Sequence, residues 1–135
     1  MSSGNLIIKP LSGKLTRDTE TFGKMDPYVK VIMGSQKEKG PVAKDAGKFP
    51  GWNCIMNMRR SNEDLIAFEV WDKDTASKDD LVGTGAIAFS KVLEKKNHYN
   101  GWVPLTYKGK SAGELLVDIE FFPDGGNKGN TNNYQ

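Results

Sequence analysis

Near its middle the chain reads Leu65-Ile66-Ala67-Phe68-Glu69-Val70-Trp71 and passes directly into Asp72-Lys73-Asp74. The first part is almost continuously apolar or aromatic, which is typical of a central β-strand with both faces largely covered. The charged residues that follow end the strand and begin a polar loop. Because a central strand needs a neighbour on each edge, this stretch predicts a sheet protein with an acidic loop at one end.

Short segments of similar character lie on both sides of this strand along the chain. Residues 115–121 alternate between an apolar face and a wetter face that carries Asp118 and Glu120. About eight such strands, with no long helical period between them, predict an all-β fold, an eight-stranded antiparallel β-sandwich. One short helix is expected over residues 91–96, with Ser90 as its N-cap. The predicted strands cover residues 6–8, 28–33, 42–44, 52–58, 65–71, 86–89, 102–105 and 114–122.

Composition narrows the class of protein. The 135 residues suit one domain, and 19 Lys and Arg against 17 Asp and Glu leave a formal net charge of +2. This near-balance argues against a nucleic-acid binder, which usually has a strongly basic domain. The single Cys54 excludes a disulfide within the chain and a cysteine-based zinc site, and it favours a reducing, cytoplasmic compartment.

The two ends of the chain add expectations about organisation. Residues 1–123 are expected to form the single domain, and the Gly/Asn-rich residues 124–135 to form a disordered tail. The apolar run over residues 6–8 is too short for a signal-peptide core, and no apolar run approaches the roughly 20 residues of a membrane span. Contact with a membrane is therefore expected to be reversible.

Carboxylates concentrate in two segments that the predicted strands place in loops, residues 18–26 and 72–80. If both loops lie at one end of the sandwich, these charges repel by about 4 kcal/mol per pair at 4 Å and an effective dielectric constant near 20. Such a cluster raises pKa values, spreads apart or binds a cation. Calcium suits it, because that ion prefers hard oxygen ligands and neither His nor Cys accompanies the acids. The alternative is that each segment is only a solvated loop.

An EF-hand does not fit the second acidic segment. Counted from Asp72, the sixth position is Ser77 and the twelfth is Gly83, where that motif requires glycine and glutamate.

Four short motifs, with their order, spacing and flanking strands, resemble the C2 domain, the calcium and phospholipid module of protein kinase C and the synaptotagmins. They are Met25-Asp26-Pro27-Tyr28-Val29-Lys30-Val31, Pro50-Gly51-Trp52-Asn53, Val70-Trp71-Asp72-Lys73-Asp74 and Asp79-Asp80-Leu81-Val82-Gly83. The resemblance spans roughly residues 5–122 and extends to the small single-domain C2 proteins of plants. It implies the C2 fold. Since the chain begins at the strand leading into the first acidic loop, it also implies the second (type II) C2 topology.

The resemblance further implies a set of ligands for two calcium ions.

 
Five acidic side chains would form the site, and Glu20, Asp72 and Asp74 would be shared between the two Ca²⁺ ions. The implied metal ligands are Glu20, Asp26, Asp72, the main chain of Lys73, Asp74, Ser77 and Asp80. Glu20 departs from the family, which usually has Asp there, and Asp18 is close enough to substitute for it if the loop is threaded differently.

Membrane contacts are expected on the same loops. Phe22 is the candidate for insertion into the bilayer, with packing against the sandwich as its alternative. The side chains of Lys24, Lys73 and Lys78 would meet anionic headgroups. Further lysines in residues 37–48 are interrupted by acidic residues, glycine and proline, so a solvated basic face is favoured over a phosphoinositide site.

The resulting functional prediction is a calcium-dependent phospholipid-binding module that docks peripherally on anionic membranes. The alternative is a calcium-independent protein-interaction domain whose acidic loops are structural or vestigial. An enzyme is not expected, because the lone His98 lies in a polar stretch without a credible nucleophile or base around it. The expected partners are an anionic membrane and a possible protein, without nucleic acid, for a chain expected to be a monomer.

Overall fold

A computed structural model describes residues 3–125, which form eight antiparallel strands and one short helix. The elements are β1 (Gly4–Leu15), β2 (Pro27–Met33), β3 (Gln36–Lys39), β4 (Met56–Arg60), β5 (Leu65–Asp72), β6 (Asp80–Ala88), α1 (Phe89–Glu94), β7 (His98–Tyr107) and β8 (Lys110–Pro123). The all-β, eight-stranded antiparallel prediction is confirmed. Residues 126–135 of the expected tail lie outside the described residues, and the single domain over 1–123 stays a prediction.

The strands follow the order β3-β2-β5-β6-β7-β8-β1-β4. Only the pair Thr84↔Thr106 is registered between β6 and β7 among the described residues, so the order divides there into two four-stranded halves. One hydrophobic core draws on both halves, with Phe68 of β5 and Leu115 of β8 fully buried. This arrangement is the predicted sandwich, while the second C2 topology stays a prediction.

The central strand β5 lies between β2 and β6, as its composition predicts. Ile66, Phe68 and Val70 are buried on the core face, whereas Trp71 on the opposite face is only half-buried. The Nζ atom of Lys30 lies 4.7 Å from the centre of the Trp71 ring, so the aliphatic and aromatic groups of neighbouring strands cover this outer face in part.

The predicted strand over residues 42–44 is wrong, because these residues belong to the connection between β3 and β4. The strand that precedes it, β3, is polar and exposed, since it forms one edge of the sheet order and needs no apolar face. The side-chain amide of Gln36 pairs with both backbone groups of Arg59, accepting from its N–H at 2.8 Å. Gln36 thereby joins the two edge strands β3 and β4.

The short helix begins two residues earlier than predicted. Ala88, not Ser90, is the N-cap, and it makes no side-chain cap hydrogen bond. Burial of Phe89 and Val92 against the core therefore positions the helix, rather than capping. With six residues, α1 is far too short to cross a bilayer, and no other helix occurs within residues 3–125.

Strand register places the two acidic segments at the same end of the sandwich. Asp72, the last residue of β5, pairs with Pro27 at the start of β2 and with Asp80 at the start of β6. The β1–β2 and β5–β6 loops therefore emerge side by side, which meets the condition under which the sequence predicts a cluster of carboxylates. We call this end of the sandwich the loop end.

Candidate metal centre

Three carboxyl groups converge at the loop end within the described part of the chain. Glu20, Asp72 and Asp80 each offer one oxygen atom, and these atoms all lie within 4.8 Å of one another. Register sets two of the three, because Asp72 and Asp80 are paired across β5 and β6. The β1–β2 loop supplies Glu20. The three groups are called the carboxylate trio.

Asp72 is the buried member of the trio, with only 1% of its surface exposed. Its Oδ1 atom accepts a hydrogen bond from the Asp26 backbone N–H at 2.8 Å, and its Oδ2 atom accepts one from the Thr19 hydroxyl at 2.8 Å. A buried carboxylate needs such donors. Asp72 therefore ties the end of β5 to two separate points of the β1–β2 loop.

The hydrogen bond between Glu20 and Asp72 raises the pKa of Glu20 to about 7. The negative charge of Asp72, partial desolvation and the charges of Asp74 and Asp26 act in the same direction. Crowded carboxylates avoid full ionisation by sharing a proton. Near neutral pH, a proton on Glu20 thus relieves part of the repulsion that a cation would relieve.

The other two expected acidic ligands lie beside the trio. Asp26 and Asp74 line a cleft of about 140 Å³ together with Glu20, Lys24, Lys73 and Thr75. The Oδ1 atom of Asp26 accepts the Asp45 backbone N–H at 2.7 Å. The backbone N–H of Lys73 donates to the Asp26 carbonyl at 3.0 Å, which holds the two acidic loops together.

Asp74 shapes the β5–β6 loop in addition to lining the cleft. It accepts hydrogen bonds from the Ala76 backbone N–H and from the Ser77 hydroxyl, both at 2.9 Å. The bond from Ala76, followed by that from Ser77, lowers the pKa of Asp74. The Ser77 oxygen, an expected ligand, is therefore engaged with another expected ligand in this structure.

Sequence reasoning missed Asp79 as a structural partner of the site. It accepts hydrogen bonds from the Tyr28 hydroxyl and, at 2.9 Å, from the Asp74 backbone N–H, while Lys73 Nζ lies 3.8 Å away. These donors, that of Asp74 first, lower the pKa of Asp79. The sequence shows that Asp79 and Asp80 are adjacent acidic residues. Only the fold shows that Asp79 accepts hydrogen bonds that hold the β5–β6 loop, whereas Asp80 belongs to the carboxylate trio.

The residues expected to meet lipid are exposed at the loop end. Phe22 is 88% exposed, so its ring does not pack back onto the sandwich. Lys24, Lys73 and Lys78 are exposed as well. Cys54, by contrast, is buried, and burial raises the pKa of its thiol, in keeping with the small packed side chain that the sequence predicts.

Comparison with known proteins adds a family to this geometry. A family model described as the C2 domain matches residues 4–105. The 16 kDa phloem protein 2 of Arabidopsis thaliana is 29% identical over 90% of this chain and 93% of its own length. Elicitor-responsive protein 1 of Oryza sativa subsp. japonica is 32% identical over 74% of this chain and 70% of its own. A solved structure described as a C2 domain-containing protein superposes with a TM-score of 0.80 and 27% identity, over 95% of both chains.

Proposed function

Because the chain belongs to the C2 domain family, we propose that it binds calcium at the loop end and then docks on anionic phospholipid membranes. The observation that carries this proposal is the carboxylate trio, whose oxygens lie within 4.8 Å of one another. We propose a binding module of the cytoplasm that is recruited reversibly to membranes, not an enzyme.

The donor set suits calcium. The trio, Asp26 and Asp74 offer carboxylate oxygens, and the Lys73 carbonyl and Ser77 hydroxyl are the further expected ligands nearby. Calcium takes six to eight such oxygens, whereas zinc and copper favour the nitrogen and sulfur atoms that the sequence does not place here. We propose two ions. A second ion held by Asp74 would share that carboxylate with its hydrogen-bond donors Ala76 and Ser77.

Charge explains how calcium would control docking. In the ion-free protein five carboxyl groups lie at or beside the cleft and repel anionic lipid. Two calcium ions nearly cancel that charge, after which the exposed lysines of the loops attract headgroups by about 1 kcal/mol each. Insertion of the Phe22 ring adds about 1.5–3 kcal/mol. Lipid and calcium then increase each other's affinity, since each favours the state that the other binds.

The bond between Glu20 and Asp72 favours a second candidate function. It relieves the repulsion in the trio with a proton and without a metal ion. A domain held in this way could bind a protein partner through the same loops without calcium. A partner that binds equally well in calcium and in chelator would support this candidate.

Vesicle sedimentation tests the proposed function. Wild-type protein should pellet with phosphatidylserine-containing vesicles in calcium and stay in solution in chelator. Asp80→Asn should abolish this difference, because it removes an exposed member of the trio. Asp64→Asn is the matched control, since its side chain is 85% exposed and lies at the opposite end of the sandwich. Equal pelleting of the wild type in both conditions would refute the proposal.

A further inference from the structure

We infer that residues 126–135, called the terminal segment, dock in a groove of this same domain, where the Tyr134 ring packs against the ring of Phe122. The groove lies on the outer face of β1, β4 and β8, at the end of the sandwich opposite the loop end. The inference goes beyond the proposed function, because it involves neither calcium nor lipid.

Strand register builds the groove, which has a volume of about 640 Å³. Asn5 of β1 pairs with Phe122 of β8 on one side and with Arg59 of β4 on the other. Ile7, two residues further along β1, pairs with Asn57 of β4. Since side chains two residues apart point to the same face of a sheet, these groups form one continuous surface.

The groove leaves apolar surface open to water. The Phe122 side chain is 45% exposed, and Ile7 beside it is only half-buried. An aromatic ring in water forgoes the free energy that burial would supply, and apolar groups that share one surface mark interaction sites. An occupant of the groove therefore has to supply an apolar group.

The described chain ends at the edge of this groove. Asp124, two residues after Phe122, accepts hydrogen bonds from both terminal nitrogens of Arg59, with 2.8 Å between Nη1 and Oδ1. The Asp124 backbone N–H donates to the Ser3 carbonyl at 2.9 Å. Gly125 then adopts a left-handed conformation with φ of 65°, which turns the chain out of the strand. The terminal segment therefore starts beside the groove.

The terminal segment is long enough to reach every part of the groove. Tyr134 lies nine residues beyond Gly125, and nine extended residues span at most about 30 Å. The three strands β8, β1 and β4 lie about 4.8 Å apart, so the groove is about 10 Å wide. A tethered segment also has a high effective concentration, in the millimolar range for short flexible connections. It therefore needs less intrinsic affinity for the groove than a separate partner does.

The composition of the terminal segment matches the lining of the groove. Tyr134 is its single aromatic residue, and four asparagines and a threonine precede it. The groove combines the apolar Phe122 and Ile7 with the amides of Asn5 and Asn57. Amide side chains both donate and accept hydrogen bonds, so the polar residues of the segment meet partners while the Tyr134 ring covers the apolar part.

Charge favours this occupant over a strongly charged partner. Arg59 is the one charged side chain among the described lining residues, and it forms an ion pair with Asp124. An acidic partner would have to compete with that pair. The terminal segment carries a single charge, that of Lys128, so it can dock without separating Arg59 from Asp124.

Disulfide formation at equilibrium tests where the terminal segment lies. In a Cys54→Ala background of the full chain, Gln135→Cys is combined either with Asn57→Cys in the groove or with Lys95→Cys after α1. Glutathione redox buffers then measure the effective concentration of the two thiols, in chelator and without vesicles. We expect a value at least about tenfold higher for the 57–135 pair than for the 95–135 pair.

Lys95 is the matched control position. It is exposed, as Asn57 is. It also lies near the same end of β8, because the Phe121 N–H donates to the carbonyl of Asn97, two residues after Lys95. A terminal segment without a docking site would therefore give similar effective concentrations at both positions.

Substitution of Tyr134 tests the packing of its ring. Tyr134→Ala should lower the effective concentration of the 57–135 pair about tenfold, because the buried ring is lost. Tyr134→Phe keeps the ring and should retain most of the effect. Equal values for the 57–135 and 95–135 pairs overturn the inference, and so do disulfides that form only between two copies of the chain.

Nuclear magnetic resonance gives a second measurement without added cysteines. Between wild type and Tyr134→Ala, the amide signals of Ile7 and Asn57 should shift, whereas that of Lys95 should not. Unchanged signals at Ile7 and Asn57 overturn the inference even if a cysteine variant fails to fold. Since neither measurement uses calcium or vesicles, such a result leaves the proposed function standing.

Discussion

A carboxyl oxygen of Glu20 lies within 4.8 Å of an oxygen of the buried Asp72 carboxylate, and hydrogen bonding between the two groups raises the pKa of Glu20 to about 7. The pair closes the gap between the β1–β2 loop and the end of β5. The proton on Glu20 reduces the negative charge of the trio, as the proposed calcium ion would. Several properties of the domain should therefore depend on pH near neutrality.

Calcium affinity should rise with pH between about 6 and 8. Below pH 7 calcium must displace the Glu20 proton, so the apparent affinity should increase up to about tenfold per pH unit and level off above the pKa. Calorimetry in buffers of different ionisation enthalpy measures the released proton. Glu20→Gln should remove the pH dependence, and an unchanged slope in this variant would refute the assignment to Glu20.

The raised pKa of Glu20 also predicts how the stability of the calcium-free protein depends on pH. The pKa of Glu20 is raised from 4.5 to about 7 in the folded state, so the folded protein holds this proton more tightly than the unfolded chain does. The resulting stabilisation is fully present below pH 4.5 and is lost as the pH rises through 7. Urea unfolding in chelator at several pH values checks this, with Glu20→Gln as the comparison that should lack this contribution.

Glu20→Asp should move the pH dependence of calcium binding to lower pH. The shorter side chain reaches Asp72 less well, so the hydrogen bond that contributes most to the raised pKa is weakened. Calcium affinity at pH 6 should then increase relative to wild type, as calorimetry would show. The exposed edge-strand substitution Glu38→Asp is the matched control and should change nothing.

Thr19→Val should destabilise the ion-free domain by about 1–3 kcal/mol, because the buried Asp72 carboxylate loses a hydrogen-bond donor. Thr19→Ser keeps the hydroxyl and should restore most of the stability. Denaturant unfolding in chelator measures both variants. A loss in Thr19→Val no larger than that in Thr21→Val, at an exposed position of the same loop, would contradict this role.

Asp79→Asn and Asp80→Asn should have different effects although the residues are neighbours. Asp79→Asn removes the charge that accepts from Tyr28 and Asp74, so it should lower the unfolding free energy by about 1–3 kcal/mol and weaken calcium binding only indirectly. Asp80→Asn should abolish binding of an ion with little loss of stability, since Asp80 is exposed. Thermal unfolding and calcium calorimetry on both variants separate the two roles.

Much of the fold follows from local pattern. The alternation of β8 and the apolar run of β5 reflect which faces meet the core, and both strands were predicted close to their observed bounds. The edge strand β3 was missed because Gln36 to Lys39 are all polar or charged, so no apolar pattern marks them. β3 instead forms through pairing with β2, which local sequence does not display.

At the candidate metal site, too, part of the arrangement follows from the sequence and part only from the tertiary structure. Residue types predicted two acidic loops, and the resemblance to the C2 domain implied that the two loops share one site. Only the tertiary structure distinguishes Asp80, a member of the trio, from Asp79, which accepts hydrogen bonds within the loop, and raises the pKa of Glu20. The physical reason is that each of these properties depends on donors, charges or backbone contacts supplied by residues far away in the chain, and their approach is set by strand register and loop packing.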